Sequence, residues 1–310
     1  MIDRRTSLFL FLILFVSTSS WAAPVQRTFV STSGNDANDC SRPAPCRSFL
    51  AAIAQTQPGG EVYVLDSGGY GTAPITQAVT IRGDAVSAGV SVLGGDGIDV
   101  NAGPSDIVTL HGLVIIGLGG ANGVSFQNGG VLHLEQVTIA GFLLEGVDMT
   151  ASGKLFIDDS IIRDNASNEG LKVHPTSGVG AIVSVDHSRF ERNNAGIWIA
   201  DGGFATIRNS VIADNHSIGI NDGVTTATGS SEITIENCVS ALNNYGIVAQ
   251  SAVTPAGVNA AIVRISNVTL FGNVTAGLAT MGVRDGGAIW SFGNNQSTDV
   301  GTPNMTIPQM

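Results

Sequence analysis

The sequence predicts an all-β solenoid, a stack of three-strand coils whose strands pair in parallel with the coils above and below. Two observations carry that expectation. A Gly followed by an aliphatic residue recurs seven times, at Gly123-Val124, Gly146-Val147, Gly170-Leu171, Gly196-Ile197, Gly219-Ile220, Gly246-Ile247 and Gly277-Leu278, with spacings of 23, 24, 26, 23, 27 and 31 residues. The run before each pair alternates apolar and polar residues, as in Leu155–Ile162, Val183–Phe190, Ala205–Ile212, Ile233–Ser240 and Val263–Leu270. A period in the twenties with period-two alternation inside it marks a solenoid of short strands. Composition agrees, because 40 Gly and only 13% charged residues suit tight turns and short buried strands.

The elements follow in chain order. Residues 1–22 read as a secretory leader: Arg4 and Arg5, the apolar run Leu8–Val16, and Ser20-Trp21-Ala22 as the cleavage signature. The apolar run is too short to span a bilayer, and no later segment is long and apolar enough. The mature chain is therefore expected to be secreted or periplasmic, with no transmembrane anchor once the leader is removed. Residues 23–60 form an N-terminal cap. Within it, Ser48 is the N-cap of a helix that places Phe49, Leu50 and Ile53 at helical spacing and stops at Pro58-Gly59-Gly60. The first coil of a solenoid leaves its apolar end open, and this helix is the natural cover. Residues 61–292 are the solenoid, and 293–310 a polar tail lying loosely over the last coil.

Within the solenoid, Leu155, Ile157 and Ile162 are expected to point inward, and Phe156 and Asp158 outward. The column Asn165, Asn193, Asn215, Asn243 and Asn273 sits at a turn, where stacked amides can bond from coil to coil. The Gly that follows is expected to supply a positive φ. This strand-strand-Asn-turn-Gly-strand unit resembles the right-handed parallel β-helix of the pectin-lyase-like superfamily over roughly residues 60–292. The resemblance implies that a substrate would lie along an outer strand face. It does not select an activity, because the scaffold hosts lyases, hydrolases, epimerases and adhesins.

Charge and cysteines narrow the classes. Net charge is −11, and it becomes −12 once Asp3, Arg4 and Arg5 leave with the leader. An acidic chain with no basic cluster argues against nucleic acid as a partner. Of three Cys, Cys40 and Cys46 read as a short disulfide loop in an oxidising compartment. Cys238 shares a column with Ser160, Ser188 and Ser210 and reads as a small, free, unreactive side chain.

Two outward columns carry candidate chemistry. The strand after each Gly presents Ser125, Asp148, Lys172, Trp198, Asn221 and Val248, followed by Gln127, Thr150 and His174. Asp148, Lys172, His174, Trp198, Asp201, Asn221 and Asp222 gather on or beside one face, the make-up of a sugar-stacking groove. Trp198 is the platform, with Lys172 facing an acidic or hydroxylated sugar. His174, Lys172 and Asp148 are the candidate catalytic groups. The second column, Glu135, Asp158, Asp186, Arg208 and Glu236, reads as a solvated acidic face balanced by Arg163, Arg189, Arg192 and Arg208. Its functional alternative is calcium or a carboxylate pair for acid–base work. No metal or other cofactor is called for by the residues, and calcium is the one ion this column could take.

Family signatures are incomplete. Asp158-Asp159 is similar to the paired Asp of polygalacturonases, but the Gly-His-Gly and Arg-x-Lys segments of that family are absent. Asn244–Ile247 resembles the Tyr-Gly-Ile of alginate C5-epimerases, yet continues Val248-Ala249-Gln250 where that motif has Asp-Pro-His. No diagnostic pectate-lyase run is present. Gly94–Val100 matches one copy of the calcium-binding nonapeptide and reads as a Gly-rich turn. The expected function is recognition of a glycan or surface polymer without turnover. The alternative is a polysaccharide-modifying lyase, hydrolase or epimerase on the same face.

Overall fold

The computed structural model describes residues 25–165, 167–176, 180–226, 229–251, 261–282 and 287–308. The leader read from residues 1–22 lies outside them. Each coil runs through three parallel sheets, one of twelve, one of ten and one of nine strands. A representative coil takes Lys154–Asp158 in the first, Ile161–Arg163 in the second and Glu169–Val173 in the third. The inward side chains are the predicted ones: Leu155, Ile157 and Ile162 are buried, while Phe156 is half-buried and Asp158 exposed. One apolar core runs the length of the stack. Among the described residues, no helix is long and apolar enough to cross a membrane.

The Asn column is a buried ladder. Asn165 donates to Asn193 Oδ1 at 2.9 Å, Asn193 to Asn215 at 3.3 Å, Asn215 to Asn243 at 3.0 Å and Asn243 to Asn273 at 3.1 Å. Asp299 closes it, accepting from Asn273 Nδ2 at 2.7 Å. The tail is therefore not loose. Gly277 N–H donates to Val300 O, and Met305–Thr306 joins the twelve-stranded sheet beside Gly287–Ser291. The last coil carries unpaired backbone groups, and the tail satisfies some of them.

The repeating Gly has a different role from the expected one. Its φ is not positive. A left-handed residue instead precedes each ladder Asn: Asp164, Arg192, Asp214, Leu242 and Gly272. The Gly is required by close approach instead. A Cβ at Gly196 or Gly219 would stand 2.5 Å from the carbonyl oxygen of the Gly one coil on.

At the N-terminus, helix Phe49–Gln55 has Ser48 as N-cap, accepting from Ala51 N–H. Phe49, Ala52 and Ile53 are its buried face, whereas Leu50 is exposed. The helix stops at Thr56 because the next strand, Thr56–Val64, begins there. Val25–Val30 pairs with that strand, so the cap is built into the twelve-stranded sheet. Cys40 and Cys46 are joined, and Cys238 is buried and free, its thiol pushed up to about 11 chiefly by burial. Thiol counting on denatured, unreduced protein should find one reactive sulfhydryl. Three would remove the Cys40–Cys46 bridge.

Candidate functional site

The first outward column lies on the nine-stranded sheet. Parallel register places Ser125 beside Asp148, Asp148 beside Lys172, Lys172 beside Trp198 and Trp198 beside Asn221. The pleat keeps these side chains on one face at strand spacing. His174 is brought in as well, its Nε2 2.7 Å from Asp148 Oδ1. Two carboxylates that the sequence reading missed complete the cluster. Glu145 and Glu169, each directly before a repeat Gly, are nearly buried. Lys172 Nζ lies 3.0 Å from Glu145 and 3.7 Å from Glu169. Burial raises the Glu169 carboxyl above its usual range, against the pull of Lys172. Desolvation pulls the Lys172 ammonium down, but its bond to Glu145 and the charges of Glu145, Glu169 and Asp148 hold it above its ordinary value. The signal for both Glu was available as a column, the residue preceding each Gly.

Three parts of the predicted groove change. Asp222 faces the core, in the column of Ile199 and Ala249, and is fully buried. Its Oδ1 accepts from Ser231 Oγ, its Oδ2 has no partner among the described residues, and burial pushes its pKa up to about 8. Asn221 faces outward but is buried too, packed against Trp198 and Gly223. Asp201 is occupied, accepting from the N–H groups of Thr225 and Thr226 and from Thr225 Oγ1. Trp198 itself is half-buried, with Nε1 turned into the protein beside Gly223 and Lys172 Nζ 5.7 Å from a ring centroid. Lys172 is thus engaged by two carboxylates and an indole, and has no charge to spare for an acidic sugar.

The second column lies on the twelve-stranded sheet, in the register Glu135, Asp158, Asp186, Arg208, Glu236. The arginines expected to balance it are elsewhere. Arg163 and Arg192 pair with Asp164, and Arg189 pairs with Glu191, all beside the ten-stranded sheet. Only Arg208 stands in the column. Here a cleft of about 240 Å³ is lined by His133, Glu135, Phe156, Asp158, Asp186 and Arg208, with Ser184. The rings of His133 and Phe156 stack, with centroids 4.9 Å apart and planes 12° from parallel. Glu135 is taken by His111 at 3.1 Å, and Asp186 accepts from Asn209 Nδ2 at 2.8 Å. No hydrogen bond or ion pair among the described residues holds the Asp158 carboxylate or the Arg208 guanidinium. Desolvation, then the charges of Asp159 and Asp186, raise the Asp158 pKa. Ligand atoms of Asp158, Asp186 and His187 lie within 4.8 Å of one another, close enough to share a cation.

The family model for right handed beta helix regions matches residues 96–296. The chain belongs to the right-handed β-helix family. Among solved structures, this β-helix is similar to pectate lyase Pel9A, with 14% identity, a TM-score of 0.63, and 91% of this chain and 80% of that one covered. It is also similar to an alginate lyase from Paenibacillus sp. str. FPU-7, at 16% identity and a TM-score of 0.58 over 91% and 100% of the two chains. At these identities the likeness is one of fold. No curated protein sequence matches the chain.

Proposed function

We propose that this β-helix protein binds a glycan in the cleft on its twelve-stranded sheet. One observation carries the reading. A free carboxyl and a free guanidinium, Asp158 and Arg208, flank Asp186 beside the stacked rings of Phe156 and His133. Sugars present an apolar ring face and a rim of hydroxyls, and this cleft offers an aromatic surface with unpaired donors and acceptors. On the nine-stranded sheet Lys172, His174 and Asp148 already have partners, so they and Trp198 are proposed as an auxiliary contact. The fold neighbours, a pectate lyase and an alginate lyase, support a polysaccharide as ligand.

Catalysis is the second reading, and the raised Asp158 carboxyl favours it. Burial and the charges of Asp159 and Asp186 raise the Asp158 carboxyl, and it stands beside the Asp186 carboxylate in register, the kind of carboxyl pair that glycosidic cleavage uses.

The test is a glycan array, followed by titration and reducing-sugar and unsaturated-uronate assays on the hits. Phe156→Ala should weaken binding at least tenfold, about 1.4 kcal/mol, and Trp198→Ala less. Asp158→Asn should keep binding and, under the second reading, abolish turnover. Unaltered binding in Phe156→Ala together with loss in Trp198→Ala would move the site to the nine-stranded sheet.

A further inference from the structure

The turns that carry the Asn ladder build a second concave surface. In each coil the residue before the ladder Asn is left-handed, at φ 61° for Asp164, 52° for Arg192, 57° for Asp214, 57° for Leu242 and 66° for Gly272. Gly and Asp tolerate that conformation, whereas leucine brings its Cβ against the following carbonyl. No burial compensates the strain, because Leu242 is 54% exposed. Its side chain leans over the next coil, where a Cβ at Gly272 would stand 2.9 Å from Leu242 Cδ2. Across the ladder, Val274 is 83% exposed. The turn accounts for the positive φ in every coil; what it does not account for is an exposed leucine at that position beside an exposed valine, which a ligand would.

These two side chains line a cleft of about 540 Å³ with Asp214, His216, Asn244 and Arg192. The Arg192 guanidinium grips Asp164 through Nε at 2.7 Å and a second nitrogen at 3.3 Å, and is not free for an anion. The Asp214 carboxylate is exposed, with no hydrogen bond or ion pair among the described residues. The floor offers no backbone to an extended peptide, because the N–H groups of Asn193, Asn215 and Asn243 donate to the ladder. A ligand here must bond to side chains and rest on two aliphatic groups, and it gains nothing from negative charge.

We propose that this cleft is a second ligand site, which holds a neutral, hydroxyl-rich oligosaccharide with its ring face on Leu242 and Val274. Its hydroxyls donate to Asp214 and accept from Asn244 Nδ2. The site lies on a different corner of the coil from the Phe156 cleft and shares only the ligand class with the function proposed there.

Leu242→Gly separates a ligand role from a structural one. Gly suits the positive φ, so the variant should melt at or above wild type while losing the apolar wall. Cellohexaose, xylohexaose, mannohexaose and hexagalacturonate are titrated calorimetrically into wild type, Leu242→Gly, Asp214→Ala and Phe156→Ala. The expected result is a neutral hexasaccharide that still binds Phe156→Ala and binds Leu242→Gly and Asp214→Ala at least fivefold more weakly. Binding that depends on Phe156 alone overturns this inference and leaves the first cleft standing. Binding that depends on Leu242 and Asp214 alone does the reverse. A lower melting temperature in Leu242→Gly makes the leucine structural and overturns the inference, as does a failure of every neutral probe or a preference for hexagalacturonate.

Discussion

Asn215→Ala should lower the melting temperature by roughly 10 °C, the equivalent of about 3–5 kcal/mol in a chain of this size. The loss is large because the side chain makes four buried hydrogen bonds. Its Oδ1 accepts from Asn193 N at 3.0 Å and Asn193 Nδ2 at 3.3 Å. Its Nδ2 donates to Phe190 O at 3.2 Å and Asn243 Oδ1 at 3.0 Å. Alanine leaves the Asn193 N–H without its acceptor and takes one bond each from Asn193 Nδ2, Phe190 O and Asn243 Oδ1, in a site with 2% exposure, where water does not replace the lost amide. The change also cuts the ladder at its midpoint, so each half loses its neighbour. Thermal denaturation by circular dichroism checks it. A melt that does not move would mean the stacked amides contribute nothing.

Asp222→Asn should flatten the dependence of stability on pH between about pH 4 and 8. The sign follows from linkage. The folded carboxyl holds its proton up to about pH 8 because burial penalises the charge, whereas the unfolded one releases it near its ordinary value. The stability this group contributes is therefore complete below the unfolded pKa. It is lost as pH rises, at about 1.4 kcal/mol per unit, until the folded pKa is passed. Between pH 5 and 8 the wild-type chain should lose about 3–4 kcal/mol that the Asn variant keeps. The nearby charge of Glu232, itself paired with Arg264, raises the Asp222 carboxyl further. Melting curves of both proteins at pH 5, 6.5 and 8 provide the check. Parallel shifts in the two would show that the carboxyl is not protonated in the fold.

Asp222 also shows where reading residue types misleads. The alternation after Gly219 puts Ile220 inward, Asn221 outward and Asp222 inward, and the structure follows it. Placing Asp222 on the surface set the expectation for a carboxylate above the parity of the strand. The pleat is the stronger constraint, because a one-residue slip would turn every side chain of the strand over.

Sequence by itself determined the period, the inward and outward parity of each strand, the Asn ladder, the capping helix and the membership of each column. These are local properties, set by the two-residue pleat and by the turn chemistry of Asn, Asp and Gly. Tertiary structure alone decided which charges meet. Glu145 reaches Lys172 across 27 residues, and Arg192 reaches Asp164 across 28, because the turn lengths bring successive coils into register. That closure occupied Lys172, buried Asn221 under its neighbours and drew three arginines away from the acidic column. It left Asp158 and Arg208 as the unpaired groups beside Phe156, for coil-to-coil contacts depend on how each coil closes, which no short window of sequence contains.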